Sequence, residues 1–184
     1  MFKYLYGLFI LLFVSFVGFN IYKSVTKKDF KSSRFACQKE VVTIETFRKP
    51  KLIEEAISSL KNKNYKLISK IRFSKYMISR LGNYIEIADV DKMINNAISK
   101  YKSENNNKTT DLIIDYTLYE NDKNDPGKKT AKSKLYAGYI YLNFKLNENI
   151  SVYDIQIDYM NMEAKDLNSR IECAIKSFVN ANDK

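Results

Sequence analysis

The sequence contains no histidine and no tryptophan, and only two cysteines, two prolines and five glycines among 184 residues. Without histidine the chain lacks a Ser-His-Asp or Cys-His catalytic unit, an imidazole metal ligand and an imidazole pH switch. Two cysteines do not make a structural zinc site. The glycines are too few and too widely spaced for a loop that cradles phosphate. We therefore expect no catalytic residues, no metal and no cofactor, and a protein that is not an enzyme.

A long apolar run lies near the N-terminus. Residues 4–22 carry no charged side chain, and a helix of this length would extend roughly 28 Å, close to the thickness of a bilayer core. Tyrosines lie near both ends of the run, as they do at membrane interfaces. No pair of small residues follows it to mark a signal-peptidase site. We predict a transmembrane signal anchor at residues 1–22, a polar basic linker at 23–36 and an extramembrane domain at 37–184.

The residues around this run give conflicting indications of orientation. Five basic residues and one acid follow it within residues 23–34, which by the positive-inside rule would keep the domain in the cytoplasm. A span that begins at residue 4 resembles an export signal, in contrast, and the only two cysteines favour an oxidising compartment. We predict a single-pass protein of the inner membrane with its domain on the periplasmic side.

Positive charge is concentrated in the first part of the chain. Residues 1–107 have a net charge of +11 and residues 108–184 a net charge of −1, which together give the overall +10. Basic residues interleaved with aromatics can bind anionic lipid headgroups or single-stranded nucleic acid. The segment from 56 to 85 fits this pattern, although it also fits an ordinary solvated face, and no RNA-binding aromatic motif is present; nucleic acid is the less favoured partner. The candidates for an anionic surface are Lys61, Lys63, Lys66, Lys70, Arg72, Lys75 and Arg80.

The spacing of apolar residues predicts an α+β domain. Strands are favoured at 41–47, 65–73, 84–87, 112–119, 135–146 and 152–160, with a helix through 66–81 as the alternative to the second. Helices are favoured at 50–60, 89–101 and 163–179, and Asp89 is the predicted N-cap of the second helix. The order begins β-α-β-β-α-β, as in a ferredoxin-like unit. A β-meander and a C-terminal helix extend it around a mostly antiparallel sheet.

The predicted meander has one apolar face and one face that carries tyrosine and aspartate. Tyrosine is enriched in protein interfaces because it offers a large rigid surface with a polar tip. A solvated sheet face with β-favourable tyrosines is the alternative. The candidates for partner binding are Asp115, Tyr119, Tyr139, Tyr141, Asp154 and Asp158.

The two cysteines lie at opposite ends of the predicted domain. Cys37 precedes the first strand, and Cys173 lies at the edge of the apolar stripe of the last helix. From there it can reach a neighbouring strand end, so we predict a disulfide if the domain is exported; two free thiols are the alternative.

These features favour a membrane-anchored, non-enzymatic envelope protein. Its domain would bind other envelope proteins as a scaffold or accessory subunit of a secretion, pilus or flagellar assembly, and a homo-oligomer is compatible with this interpretation. One alternative is a periplasmic inhibitor or immunity protein that neutralises a toxin. The other is an anion-binding module at a membrane surface or on nucleic acid.

Overall fold

The computed structural model describes residues 13, 15–19, 34–103 and 110–183. The chain divides into two units, one of residues 1–33 with 184 and one of residues 34–183. In the first unit, the described residues are helical and their side chains are exposed. The second unit contains the α+β domain.

The transmembrane anchor predicted for residues 1–22 needs correction. A membrane-spanning helix requires roughly 20 consecutive apolar residues. Among the described residues, no helix combines the length and the apolar character needed to cross a membrane. This finding contradicts the predicted signal anchor, the single-pass inner-membrane localisation and the membrane as a partner. Residues 1–12, 14 and 20–22 of the predicted anchor, and residues 23–33 of the predicted linker, lie outside the described residues.

The described residues of the domain form five strands and four α-helices. The strands are β1 (Thr43–Phe47), β2 (Tyr65–Arg72), β3 (Leu112–Glu120), β4 (Gly138–Leu146) and β5 (Ile150–Tyr159). The helices are α1 (Ala36–Lys39), α2 (Ile53–Lys61), α3 (Ile87–Ser99) and α4 (Leu167–Val179).

The strands form one mixed sheet in the order β1-β5-β4-β3-β2. Strands β3, β4 and β5 form an antiparallel meander, and β1 adds to it antiparallel to β5. Strand β2 pairs parallel with β3, from Tyr65 opposite Leu112 to Arg72 opposite Tyr119. Helix α3 supplies the crossover connection that a parallel pair requires.

The strand predicted at 84–87 is absent, so the predicted ferredoxin-like order of elements is wrong. Ile85 packs into the core from a loop, and α3 begins at Ile87. The Glu86 N–H donates to Asp89 Oδ2 over 3.0 Å, so Asp89 satisfies a backbone donor from inside the first turn instead of acting as the N-cap. The element order after α1 is therefore β-α-β-α-β-β-β-α, and the α+β class remains.

The core lies between one face of the sheet and helices α2, α3 and α4. Alternate residues of the central strands point towards these helices and are fully buried, as in β4 at Ile140, Leu142 and Phe144. The Phe178 ring of α4 stacks on Phe144 with 3.8 Å between ring centroids. This one-sided packing leaves the opposite face of the sheet without a helix in the part of the chain that the structure describes.

Candidate functional site on the uncovered face of the sheet

The uncovered side of the sheet, called the open face below, carries all six residues predicted for partner binding. Cross-strand pairing aligns them in rows, because residues directly opposite each other point to the same side. Arg72, Tyr119, Tyr139 and Asp158 are successive partners across β2, β3, β4 and β5. Tyr141 lies in the adjacent row, and a third row contains Asp115 and Asp154.

Tyrosine rings lie on the open face at the end where β3 finishes and β4 begins. Tyr119 and Tyr139 stack with ring centroids 4.7 Å apart and planes inclined by 22°. The ammonium of Lys128 lies 5.7 Å from the Tyr119 ring centroid and 5.9 Å from that of Tyr136, within cation–π range. Burial raises the pKa of Tyr119, Tyr139 and Tyr141 above the ordinary tyrosine value. Their hydroxyls therefore stay protonated at neutral pH and can donate hydrogen bonds to a partner.

Two ion pairs flank the tyrosines. Arg48 Nε donates to Asp154 Oδ1 over 2.6 Å, and a second guanidinium nitrogen lies 3.4 Å from Asp154 Oδ2. The Asp154 side chain is 8% exposed, whereas that of Arg48 is 53% exposed. Lys145 Nζ lies 2.5 Å from Asp115 Oδ2. Paired charges of both signs therefore lie beside the tyrosines, and of the Arg48–Asp154 pair it is mainly the arginine that a partner would meet.

Asp158 is buried beside Tyr139 and is not presented to solvent. Its Oδ1 atom has no hydrogen-bond partner among the described residues. Burial raises the pKa of this carboxyl above its ordinary value, and a hydrogen bond from Gln156 opposes the rise. The sequence places Asp158 on the correct face, but its side chain is covered, which makes it a poor direct contact for a partner.

The seven basic residues predicted as an anionic surface do not gather in one place. Lys66, Lys70 and Arg72 lie on the open face along the edge strand β2. Lys61 ends α2, and Lys63 follows it in a turn with a φ angle of 59°. The remaining two, Lys75 and Arg80, lie in the loop between β2 and α3.

That loop is held by two buried acids to which sequence reasoning assigned no role in a binding site. Glu120 accepts backbone N–H groups from Ser74, Arg80 and Leu81 at 2.8–3.1 Å. Asp122 accepts those of Lys75 and Tyr76, each at 2.6 Å. The feature of the sequence that could have indicated this role is the run of polar residues 120–122 at the carboxyl end of β3. These residues can hold the loop because β2 pairs parallel with β3, which brings the end of β2 beside them.

Opposing effects set the pKa of these two carboxyls. Burial raises the pKa of Glu120, but hydrogen bonds from the backbone N–H groups of the loop outweigh it and bring the pKa below its ordinary value. The pKa of Asp122 is lowered in the same way: burial raises it, and the N–H groups of Tyr76 and Lys75 lower it by more. Both groups are therefore ionised acceptors at neutral pH.

The two cysteines form a disulfide between α1 and α4. The Cys37 and Cys173 sulfurs are 2.07 Å apart, and their Cα atoms are separated by 6.0 Å. The bond joins residues 136 positions apart in the sequence. It lies in a surface cleft of about 270 Å³ that Lys100, Tyr101 and Lys176 also line.

Within the described ranges, no group of three or more His, Cys, Asp or Glu side chains is arranged to hold a metal ion. The acids of the open face are instead paired with Arg48 and Lys145 or buried, as described above. The side chains of the open face therefore provide surface for contact with a partner and groups that can form hydrogen bonds to it.

Comparison with known proteins gives one weak structural likeness. No protein-family model matches the chain, and no curated protein matches it significantly. A PelC dodecamer from Paraburkholderia phytofirmans is similar over 75% of this chain and 93% of that one, with 8% identity and a TM-score of 0.33. A likeness at that level carries no argument about function.

Proposed function

We propose that this protein is a non-enzymatic binding module whose open face docks a partner protein, as a scaffold or accessory subunit of a larger assembly. The observation that carries the proposal is the stacked pair Tyr119 and Tyr139 on a sheet face that no helix of the described residues covers. Tyrosines in such a position contribute contact area at low entropic cost because they have few rotatable bonds.

The surroundings of the tyrosines support a protein partner over a small anion. Paired charges of both signs lie beside the tyrosines, as expected for the polar rim of a protein interface; they are provided by Arg48, Asp154, Lys145 and Asp115. Anion binding has less support, because only three of the seven candidate basic residues lie on this face.

Cross-linking from the open face tests the proposal. A photo-reactive amino acid replaces Tyr141 in the full chain, and proteins captured in the producing cell are identified and purified. The purified protein is then titrated with wild type and with Tyr139→Ala. We expect the variant to bind at least about tenfold more weakly, because central interface tyrosines are frequent hot spots.

The matched control is Tyr101→Ala, which removes a partly buried tyrosine near the disulfide, away from the open face. It should bind like wild type. Equal affinities for wild type and Tyr139→Ala, or no capture from residue 141, would contradict the proposed function.

A further inference from the structure

The loop of residues 73–80 is unusually well fixed for a surface segment. Five backbone N–H groups donate hydrogen bonds to the carboxylates of Glu120 and Asp122. Four of them belong to loop residues 74, 75, 76 and 80, and the fifth to residue 81, which follows the loop. The Ser74 hydroxyl also donates to the Met77 carbonyl over 3.1 Å. Leu81, which follows the loop, is buried in the core. The backbone of the loop is therefore pinned at both ends and in the middle.

Several side chains of this fixed loop nevertheless point into solvent. Ile78 is 91% exposed and Tyr76 60% exposed, and Phe73 is also exposed. Burying a carboxylate is costly unless it is well paired. The fold buries Glu120 and Asp122 to fix a segment whose apolar side chains contribute little to the core. A loop held in one conformation loses less entropy on binding, which is how preorganisation increases affinity.

The charges around these apolar side chains have one sign. Lys75 and Arg80 are exposed, and neither takes part in an ion pair among the described residues. The two acids closest to the loop backbone, Glu120 and Asp122, are buried and bonded to it. A partner surface that complements the loop is therefore apolar at its centre and acidic at its rim.

The loop also continues the open face. Arg72, the residue before it, is the cross-strand partner of Tyr119, which stacks on Tyr139. Asp122, which holds the middle of the loop, lies two residues beyond the end of β3. One protein could therefore contact the tyrosines and the loop together.

We propose that loop 73–80 is a second contact element of the same interface, with Tyr76 and Ile78 entering an apolar pocket of the partner protein and Lys75 and Arg80 facing an acidic rim around it. Glu120 and Asp122 are positioning residues that act through the loop backbone. This inference rests on the proposed function and specifies the chemistry of the partner.

The test places a photo-reactive amino acid at position 78, at 141 or at 150 of the full chain in the producing cell. Residue 150 is a partly exposed isoleucine at the start of β5, at the opposite end of the sheet. We expect positions 78 and 141 to capture the same protein and position 150 not to capture it. The captured protein is then purified and titrated with Ile78→Ser, the double variant Lys75→Glu/Arg80→Glu and the control Ile150→Ser.

The expected result is binding at least about tenfold weaker for Ile78→Ser and for the charge-reversed variant, with Ile150→Ser unchanged. Asp122→Asn should speed amide hydrogen exchange at residues 74–77 and weaken binding while the far-UV spectrum stays the same. Unchanged exchange in that variant would overturn the positioning role.

The outcomes separate the two proposals. Capture from 141 without capture from 78, or wild-type affinity of Ile78→Ser, would overturn the loop inference and leave the proposed function standing. Capture from neither position would overturn both. Binding of the full chain to phosphatidylglycerol vesicles that disappears with Ile78→Ser, with no protein captured, would assign the loop to a lipid surface and also overturn the inference.

Discussion

Glu120 shows how one buried side chain can make the fold sensitive to acid. The pKa of this carboxyl lies below its ordinary value in the folded state because loop N–H groups bond to the ionised form. A group with a depressed folded pKa stabilises the fold fully above its unfolded pKa, and this contribution is lost as the pH falls through the folded pKa. The loop 73–80 should therefore loosen below roughly pH 4.

For Glu120→Gln we predict a free energy of unfolding lower by about 1–3 kcal/mol at pH 7, because the three loop N–H groups lose an ionised acceptor and at least one of them then faces the amide NH2 group instead of an oxygen. We also predict a weaker pH dependence below roughly pH 4 than in wild type. Urea unfolding at pH 7 and at lower pH checks both. Glu54→Gln on the exposed side of α2 is the control. An unchanged slope of stability against pH in Glu120→Gln would contradict the assignment.

Gly138 is the residue where a single added carbon should do most harm. A Cβ at this position would lie 2.0 Å from the Tyr119 carbonyl oxygen and 2.4 Å from the Tyr159 hydroxyl. We predict that Gly138→Ala lowers the free energy of unfolding by about 2–4 kcal/mol through overpacking. Thermal unfolding of the variant and the wild type measures this difference in the free energy of unfolding. The control Gly127→Ala meets only the Asp125 side chain, 3.2 Å away, and should differ little from wild type.

At the residue scale, the sequence predicts faces better than contacts. The two-residue period of a strand is enough to group Tyr119, Tyr139 and Asp154 on one side of the meander. It does not indicate that Asp154 is covered by Arg48, because that pairing depends on β1 lying beside β5. The roles of Glu120 and Asp122 were missed for the same reason, since the β2–β3 pairing that creates them joins distant parts of the chain.

At the element scale, the long periodic segments were predictable and the four-residue segment 84–87 was not. The strands predicted at 112–119, 135–146 and 152–160 match β3, β4 and β5 within about three residues at each end. Residues 84–87 alternate apolar and polar over only four positions, which does not distinguish a short strand from a loop that leads into a helix. The sheet order and the parallel pairing of β2 could not be predicted from the spacing of apolar residues, because no local feature specifies which edge of the sheet a strand joins.

Phe178 is one of the buried apolar side chains that pack helix α4 against the sheet. Phe178 is fully buried and stacks on Phe144, with Tyr153 also within 5.4 Å between centroids. We predict that Phe178→Ala lowers the free energy of unfolding by about 3–5 kcal/mol, because the truncation leaves a cavity. Guanidinium denaturation followed by circular dichroism measures the loss. Asn168→Ala on the exposed side of the same helix should change it by less than about 0.5 kcal/mol.

At the scale of the whole molecule, the disulfide links the two ends of the domain. Because the bond closes a loop between residues 136 positions apart, chain-entropy arguments give a stabilisation of roughly 3–5 kcal/mol. We predict that a reductant lowers the free energy of unfolding of the wild type by this amount, which is measured as a lower denaturation midpoint. The double variant Cys37→Ser/Cys173→Ser should show the lower midpoint with and without reductant. A wild-type denaturation midpoint that is the same with and without reductant would show that the disulfide does not contribute to stability.

The same bond determines how the domain would respond to mechanical force. Tension applied through residues 34 and 183 passes along residues 34–37 and 173–183 and crosses between them through the disulfide, so the covalent link between α1 and α4 bears the load before the strands do. While the bond is intact, the five strands lie inside a closed loop that pulling does not extend. Once it is cleaved, the same tension would release a chain with a contour length of roughly 450 Å. The domain is thus a short, stiff connector under oxidising conditions and an extensible one under reducing conditions.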